Sequence, residues 1–257
     1  MSITALPSHA QKLLSSTSII TTPVSLVKEL IDNAIDASAT AIEVIISQNT
    51  IDKIEVRDNG LGIHTHDYDS LGRHGHTSKL KDLDDLRSVA GTSLGFRGQA
   101  LASANTLGKL TIITKTSSDP VAATIQVNPH SGGVLRQQAG SAPVGTTVSV
   151  SEIYYGLPIR KQLVAKEAGK TLDRVKSLLR SYALARPTIR LTLKVLSKPA
   201  MNWNYSPRRD ASIGEAILQV LGKDVAARCF EKKASFPAFA EDRPDVSGLS
   251  FMFEAFI

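Results

Sequence analysis

The sequence predicts an α+β protein, and three features of the chain lead to this prediction. Apolar residues recur every three or four positions at residues 23–37 and about 166–185, as in amphipathic helices. Short runs rich in β-branched residues predict strands at residues 42–47, 54–57, 109–115, 122–127, 146–153 and 190–196. The 257 residues are 42% hydrophobic, which is enough for one large domain, or for one domain and part of another.

The first predicted helix carries polar and apolar residues on opposite sides. Pro23 suits its first turn, and the apolar stripe consists of Val27, Leu30, Ile31, Ala34 and Ile35. Glu29, Asn33 and Asp36 fall on the other face, at offsets of four and three residues. Such a row suggests a lined pocket, in which the Asn33 amide oxygen suits Mg²⁺ and Glu29 accepts a proton from an attacking water. An amphipathic surface helix with solvated acids is the alternative.

A second polar feature lies where the strand at residues 54–57 ends. Asp58 is followed by Asn59-Gly60, and Gly62 comes two residues later. A carboxylate held at a strand end can accept a hydrogen bond from an exocyclic amine such as N6 of adenine, which would give base selectivity. The glycines would let the backbone lie against a purine. A plain Asp-Asn-Gly turn accounts for the same residues.

Residues 60–98 are polar and punctuated by glycine, with one short helical pattern at Leu80–Val89. A loop of this length inside a compact domain is usually functional, often a lid. Within it, Thr77, Ser78 and Lys79 offer two hydroxyls and a cation that suit phosphate oxygens. The four histidines at positions 64, 66, 74 and 76 have no cysteine beside them, so we expect solvated side chains rather than structural zinc.

The end of this stretch predicts an anion site. Gly95 and Gly98 precede a helical run that begins near Gln99. Free amides at a helix N-terminus, with glycines beside them, make a cradle for phosphates. The chain has no G-x-x-x-x-G-K-[ST] loop, so a site of the P-loop type is not predicted.

The positive charge of the chain is concentrated in one region. Residues 160–209 contain thirteen lysines and arginines but only two acids, a local charge of +11 in a chain of net charge +6. Such a cluster favours a polyanionic partner, because bound cations release counterions from a phosphate backbone. A solvated helix face fits the charge equally well. The candidate contacts for such a polyanion are Arg160, Lys161, Arg174, Lys176 and Arg180.

The remaining features concern location and domain boundaries. Cys229 is the sole cysteine, and no stretch approaches the roughly 20 apolar residues that span a bilayer, so we expect a soluble, intracellular protein. Ser206-Pro207-Arg208-Arg209 has the composition of a linker, which predicts domains at residues 1–205 and 206–257. The second contains a predicted helix at about 211–221 and ends in an apolar strand near Leu249–Ile257, which suggests a fragment of a longer protein.

Taken together, these motifs resemble a known family. The Glu/Asn helix and the DxGxG turn are typical of the GHKL ATPases, the superfamily of gyrase, the large heat-shock chaperone and histidine kinases. The further runs PVSLVKELIDNAIDASAT, IEVRDNGLGI, HTSK, GFRGQAL, GTTVSV and LPIRKQ resemble the N-terminal ATPase of MutL-type mismatch-repair proteins, most closely their eukaryotic post-meiotic-segregation branch. This similarity covers most of residues 1–200.

The resemblance implies a fold and a set of site residues. The fold is a Bergerat-type mixed sheet covered by helices on one face, followed by the start of a smaller, transducer-like βαβ domain. Glu29 would be the general base, Asn33 the Mg²⁺ ligand, and Asp58 the adenine-binding residue with support from Thr146. The remaining ATP-binding residues would be Ala37, Gly60, Gly62, Thr77, Ser78, Lys79, Gly95, Phe96, Arg97, Gly98, Gln99, Ala100 and Leu101.

The resemblance also implies a biological setting. ATP and Mg²⁺ would be the cofactors, and ATP binding would close the lid and pair two N-terminal domains. The expected partners are a MutL-family chain in a heterodimer, MutS-type mismatch-recognition proteins and mismatched DNA, in the nucleus and away from membranes. A non-hydrolysing DNA-binding scaffold subunit is the rival function. A kinase-type relative is not favoured, since no phosphoacceptor-histidine hairpin precedes the domain.

Four departures from the family pattern bear on hydrolysis. Gln99 replaces the glutamate of GFRGEAL, and Ser-Ser-Thr-Ser-Ile at residues 15–19 replaces Ala-Ala-Gly-Glu-Val, so two charges are lost. Gly156 stands where the family has asparagine. The lysine that the second domain supplies to the γ-phosphate is not found in this sequence. We therefore expect ATP binding to be better preserved than turnover.

Overall fold

The computed structural model describes residues 5–77, 93–95, 98–229, 231–237 and 250–256, with only the backbone for Ser8, His9 and the residues after 229. The chain divides into two compact units. One comprises residues 1–181 and 189–206, and the other comprises residues 182–188 and 207–257. The helical pattern predicted at Leu80–Val89 lies outside the described residues. No described helix combines the length and the apolarity needed to cross a membrane.

The first unit is built on one eight-stranded sheet, in the order β5-β4-β3-β6-β2-β1-β7-β8. Its strands are β1 Ala41–Ser47, β2 Lys53–Asp58, β3 Lys109–Lys115, β4 Ala122–Val127, β5 Val134–Gly140, β6 Gly145–Ser151, β7 Arg190–Leu196 and β8 Trp203–Tyr205. Strands β1 and β7 run parallel, and the other neighbouring strands are antiparallel. The predicted α+β fold with a mixed sheet is therefore confirmed.

Four described helices lie in the same unit: α1 Ser8–Ile19, α2 Pro23–Asp36, α3 Ala100–Leu107 and α4 Pro158–Lys166. Helix α5 Ala168–Ala185 begins in this unit, and its residues from 182 onward belong to the second. Short 3-10 helices occur at Thr65–Ser70 and Pro199–Met201. Helix α2 packs on β1 and β2, α3 packs on β3, and α1 packs on α3. These three helices form a layer over one face of the sheet.

The alternation of side chains along the strands separates the two faces of the sheet. On the helix-covered face the strands contribute buried aliphatic residues, namely Ile42, Val44, Ile46, Ile54, Val56, Leu110, Ile112, Ile125, Val148, Val150, Leu191, Leu193 and Val195. On the other face Glu43 pairs with Lys194 at 2.6 Å and with Arg57 at 3.5 Å. Because Asp58 lies opposite Ile42 and Thr146 in the strand register, it belongs to the helix-covered face.

Helix α2 begins with a complete capping box. The Thr22 hydroxyl accepts a hydrogen bond from the Ser25 backbone N–H at 3.2 Å, and the Ser25 hydroxyl accepts one from the Thr22 N–H at 3.0 Å. Pro23 occupies the first turn, as predicted. Of the predicted apolar stripe, four residues are buried and Ile35 is half-buried. This packing fixes the rotation of the helix and therefore the direction of its polar face.

The second unit contains α6 Ile213–Leu221, α7 Lys223–Ala226 and the antiparallel pair β9 Glu231–Pro237 and β10 Ser250–Phe256. Ser212 caps α6 by accepting a hydrogen bond from the Glu215 N–H at 3.2 Å. Identification of this unit as the start of a βαβ domain stays a prediction.

Candidate active site

A cavity of about 950 Å³ lies over the helix-covered face, between α2, the end of β2 and the N-terminal end of α3. It brings together most of the site residues predicted from the sequence, which are far apart in the chain. Those that line it are Glu29, Asn33, Ala37, Asp58, Gly62, Thr77, Gly95, Gly98, Gln99, Ala100, Leu101 and Thr146. Gly60 lies behind the lining, in the turn after β2, and Ser78, Lys79, Phe96 and Arg97 lie outside the described residues.

Asp58 lies at one end of the cavity and is held by the backbone. Its Oδ1 accepts hydrogen bonds from the Gly60 N–H at 2.8 Å and the Thr146 N–H at 3.2 Å. Burial raises the pKa of the carboxyl above its ordinary value, and these two hydrogen bonds oppose the shift. Among the described residues no donor contacts Oδ2, so this oxygen is available to a ligand. One carboxylate oxygen thus fixes the side chain while the other faces a hydrogen-bonding partner.

The turn that follows Asp58 is tied to the strands on both sides of it. Asn59 Oδ1 accepts hydrogen bonds from the backbone N–H groups of Thr40 at 2.9 Å and Ala41 at 2.8 Å. Gly62 has φ +78°, and a Cβ there would lie 2.3 Å from the Lys115 carbonyl oxygen. Only glycine fits this position, because the backbone is left-handed and passes directly against β3.

Thr114 does not line the cavity but supports two residues that do, and the sequence analysis missed it. Its buried hydroxyl accepts a hydrogen bond from the Ile63 N–H at 2.9 Å and lies 3.3 Å from the Thr146 hydroxyl. It therefore links the turn after β2 to β6. No signal in the sequence distinguishes Thr114 from its neighbours, since a threonine in an alternating strand is ordinary.

The polar face of α2 forms the central wall of the cavity. Glu29 and Asn33 both line it and are half-buried. Lys28 lies beside this row and pairs with the buried Asp32 at 2.5 Å. The hydrogen bond with Asp32 raises the pKa of the Lys28 ammonium, against the effect of burial. The carboxylate and the amide oxygen, one helical turn apart, suit a water molecule and a hard cation respectively.

The opposite end of the cavity is formed by Gly95, Gly98 and the start of α3. Gln99 is the N-cap residue of α3 but makes no side-chain capping hydrogen bond, and the first turn of the helix contains no acid. The N-terminal amides of α3 are therefore suited to an anion. Gly98 has φ +60°, and a Cβ there would lie 2.4 Å from the His76 carbonyl oxygen. This close contact joins the residue before the N-cap of α3 to the segment that contains His76 and Thr77.

Asp36 connects α2 to the same end of the cavity. Its carboxylate accepts hydrogen bonds from the Ser93 hydroxyl at 2.9 Å, the Leu94 N–H at 2.9 Å and the Gly95 N–H at 3.0 Å. The sequence placed Asp36 on the polar face of the helix but did not predict these partners.

The candidate DNA contacts lie in α4 and α5, away from the cavity lining, and differ in their surroundings. Arg160 is half-buried, donates to the Thr21 carbonyl oxygen at 2.5 Å and lies over the Tyr154 ring at 4.9 Å. Arg174 and Arg180 are exposed, and Lys161 and Lys176 are half-buried. Arg160 is therefore part of the packing that supports the start of α2. Arg174 and Arg180 offer their charge to solvent.

The histidine pairs form no metal centre in the described part of the chain. The rings of His64 and His66 stack, with centroids 5.4 Å apart. No group of three or more His, Cys, Asp or Glu residues is arranged there to hold a metal ion. A metal at the cavity would therefore depend on Asn33, on water and on a bound ligand.

Comparisons with known proteins agree with this geometry. Residues 21–152 match the model of the family described as histidine kinase-, DNA gyrase B- and HSP90-like ATPases. The chain is 37% identical over 222 residues to human PMS1 protein homolog 1, covering 86% of this chain and 23% of that protein. It is 36% identical over 230 residues to the DNA mismatch repair protein MutL of Neisseria meningitidis serogroup C, covering 89% of this chain and 33% of that protein.

Solved structures support the same assignment. The N-terminal domain of a DNA repair protein has a TM-score of 0.75 and 27% identity, with 95% of this chain and 70% of that chain covered. The MutL ATPase domain of Aquifex aeolicus complexed with ADP has a TM-score of 0.60 and 25% identity, with 86% and 78% covered. This chain spans only about a quarter to a third of the curated relatives above. The predicted resemblance to MutL-type proteins is confirmed, and the chain belongs to the family of histidine kinase-, DNA gyrase B- and HSP90-like ATPases.

Proposed function

We propose that the cavity binds ATP with Mg²⁺ and hydrolyses it. The observation that carries this proposal is the convergence of Glu29, Asn33, Asp58 and the N-terminal end of α3 on one cavity. These groups supply a hydrogen-bond acceptor for a nucleobase, a ligand for a cation, a proton acceptor for water and backbone amides for phosphates. The similar structure from Aquifex aeolicus, a MutL ATPase domain complexed with ADP, supports nucleotide binding.

At the base-binding end, Asp58 Oδ2 would accept a hydrogen bond from the exocyclic amine of adenine. Gly62 would allow the purine to lie against the backbone, and Thr146 would support Asp58 through its N–H. A guanine has a carbonyl oxygen at the corresponding ring position. This oxygen and Asp58 Oδ2 are both acceptors, so they would form no hydrogen bond. The arrangement therefore favours adenine over guanine nucleotides.

At the other end, the α3 amides and Thr77 would hold the phosphates, with Ser78, Lys79, Phe96 and Arg97 as further predicted contacts. Asn33 would hold Mg²⁺, which when bound neutralises phosphate charge. Glu29 would orient the attacking water and accept its proton. Catalysis would rest on positioning and on charge neutralisation, as in phosphoryl transfer generally.

Two substitutions in α2 test this assignment. Glu29→Ala should retain ATP affinity but lose about a hundredfold or more in turnover, because it removes a base that acts only on the water. Asn33→Ala should lose most of the Mg²⁺-dependent affinity. The measurements are ATP titration with and without Mg²⁺, followed by phosphate release. Asp52→Asn, a surface substitution on the turn between β1 and β2, is a control that should change neither. Full turnover in Glu29→Ala would rule out the role of Glu29.

A second function is a non-hydrolysing, DNA-binding scaffold, which the replacement of glutamate by Gln99 favours. In that case ATP binds in the titration and no phosphate is released above the level of Glu29→Ala. Gln99→Glu then distinguishes a weakened hydrolase from a scaffold. A hydrolase should gain turnover from the restored family residue, whereas a scaffold should remain inactive.

The proposal extends to the whole protein of which this chain is a part. ATP binding would close the lid and pair the N-terminal domain with a MutL-family partner in a nuclear heterodimer, acting with MutS-type proteins on mismatched DNA. Residues 206–257 would begin a transducer-like βαβ domain. The two relatives named PMS1 protein homolog 1 and DNA mismatch repair protein MutL support this setting.

DNA binding would use the basic surface of α4 and α5. Replacing Arg174, Lys176 and Arg180 by glutamate should weaken duplex binding by more than tenfold at low salt and should flatten its salt dependence. Arg136→Glu, an exposed substitution on the edge strand β5, is the matched control. Unchanged DNA affinity in the triple variant would show that these residues form an ordinary solvated helix face and do not bind DNA.

A further inference from the structure

Asp36 ends helix α2, one turn beyond Asn33, and its carboxylate lines the cavity. Both of its oxygens are engaged by one short segment. Oδ1 accepts the Leu94 N–H at 2.9 Å, and Oδ2 accepts the Ser93 hydroxyl at 2.9 Å and the Gly95 N–H at 3.0 Å. The Ser93 hydroxyl is also 2.9 Å from the Gly95 carbonyl oxygen, so residues 93–95 form a tight turn around the carboxylate.

The place of this charge is electrostatically unfavourable by itself. A carboxylate at the C-terminal end of a helix is opposed by the helix dipole. Under the proposed function it also borders the site of a polyphosphate, which repels it. Hydrogen bonds from two backbone amides and a hydroxyl offset these costs, because donors to an ionised group form the stronger class of hydrogen bond.

These bonds act on the wall of the cavity. Leu94 and Gly95 line the cavity, and their separation from Asp36 in sequence is more than fifty residues. The carboxylate therefore fixes the backbone of a distant segment directly beside the polar face of α2. A segment held in this way needs less ordering when a ligand arrives, so less of the binding free energy is lost.

We propose that Asp36 is a positioning residue that holds Ser93–Gly95 against the end of α2 before nucleotide binds. The inference rests on the proposed nucleotide site and adds a residue that fixes its phosphate side. A direct role as a metal ligand is less favoured, because three hydrogen bonds occupy most of the acceptor positions of a carboxylate.

The test compares Asp36→Asn, Ser93→Ala and the double variant, with Asp52→Asn as the control for loss of a carboxylate elsewhere. Hydrogen exchange of the amides of residues 94 and 95 is measured without nucleotide. ATP affinity, KM and kcat are measured in the full chain, and thermal unfolding verifies the fold.

Asp36→Asn should accelerate exchange at residues 94 and 95 and raise the Kd and KM for ATP by about tenfold, the effect of losing one charge-assisted hydrogen bond. The value of kcat should change by less than about threefold, because Asp36 does not touch the reacting atoms. Ser93→Ala should have a smaller effect, and the double variant should be no worse than Asp36→Asn, since both remove the same interaction.

Three results would overturn the proposal. Unchanged exchange in Asp36→Asn shows that the carboxylate does not hold the segment. Faster exchange with unchanged ATP affinity shows that the tether has no part in binding. A loss of affinity that appears only with Mg²⁺, with exchange unchanged, assigns Asp36 to the metal instead. If the unsubstituted protein binds no ATP, the proposed function fails and this inference fails with it. Binding that is normal in both proteins overturns the inference alone.

Discussion

The two ends of the cavity are built in different ways. At the Asp58 end, strand backbones hold each part: the Thr146 N–H on β6 binds the carboxylate, and the Asn59 side chain bonds to Thr40 and Ala41 at the start of β1. At the Gly95 end, the ties among the described residues include the Asp36 carboxylate and the contact between Gly98 and His76. The first end belongs to the sheet, and the second is a set of short segments attached to it.

The two ends are therefore expected to control different properties of the site. A group embedded in the sheet opens only when much of the domain opens, whereas a tethered segment opens locally at a lower free energy. Base selectivity, which needs one fixed acceptor, is therefore expected from the sheet end. The Gly95 end is expected to control how well the phosphate-binding residues are ordered, and this order can differ between the free and the nucleotide-bound protein.

The largest expected contrast comes from two equivalent substitutions. Gly62→Ala should lower the free energy of unfolding by about 3 kcal/mol or more, because its left-handed backbone is pressed against β3. Gly98→Ala meets the His76 carbonyl oxygen with the same left-handed backbone, but Gly98 lies outside the sheet, so this variant should lose less stability than Gly62→Ala and should weaken ATP binding by more than tenfold. Urea unfolding and ATP titration measure the two quantities. Equal losses of stability in the two variants would end the distinction between the two ends.

A smaller effect is expected from Asp58→Asn. The asparagine Oδ1 can still accept the hydrogen bonds from Gly60 and Thr146, so the fold should be preserved. Loss of the charged acceptor should weaken ATP binding by about ten- to a hundredfold, as for a hydrogen bond to an ionised group. Titrations with ATP and GTP measure the ratio of the two affinities, and this preference for ATP should be smaller in the variant. A preference that survives in Asp58→Asn would place base selectivity elsewhere.

The pH dependence gives the smallest effect and sharpens the same comparison. Because burial raises the pKa of Asp58, ATP affinity should begin to fall at a higher pH than an ordinary aspartate would cause. Ionisation of Asp58 also costs more free energy in the folded protein than in the unfolded chain. The protonated carboxyl therefore contributes stability that is fully present below the unfolded pKa and is lost as the pH rises through the folded pKa. Asp58→Asn should therefore be relatively more stable at neutral pH than in acid. Urea unfolding at several pH values measures both trends.

Glu55, three residues earlier on β2, is the matched control on the opposite face. Burial opposes its ionisation, but hydrogen bonds from Lys53 and Arg57 prevail and lower its pKa. Its stabilising effect is present above the unfolded pKa and is lost as the pH falls through the folded pKa. Glu55→Gln should cost about 1 kcal/mol or less at neutral pH, without changing ATP affinity. Relative to the unsubstituted protein, Asp58→Asn should therefore gain stability as the pH rises from acid to neutral, whereas Glu55→Gln should lose it.

Much of this site was predictable from local patterns. Three walls of the cavity were predicted by local patterns: the spacing of Glu29 and Asn33 in an amphipathic helix, the turn at Asp58, and the glycines before the helix near Gln99. The mixed sheet followed from the resemblance. What failed locally was the assignment of weakly patterned elements. Helix α1 is rich in serine and threonine, which are poor helix formers, and β5 is largely exposed, so it has no apolar alternation.

The long-range contacts were not predictable. The partners of Asp36 lie more than fifty residues away, and Arg160 bonds to the carbonyl of Thr21, at a still greater separation. Arg160 is an example: its role as a nucleic-acid contact stays a prediction, and the structure adds a contact with Thr21 that supports the start of α2. Side-chain spacing predicts which face a residue shares, but not which distant backbone group the side chain meets.

The parallel pairing of β1 with β7 has a consequence for how the protein is made. Ala41 pairs with Arg190, so one edge of β1 stays unpaired until β7 has been synthesised, roughly 150 residues later. At typical elongation rates this takes on the order of ten seconds or more. During that interval β2 can pair with β1 and with β6, but the other edge of β1 stays exposed. Closure of so long a loop is also slow in refolding. β1 is therefore among the last strands of this sheet to have both edges paired.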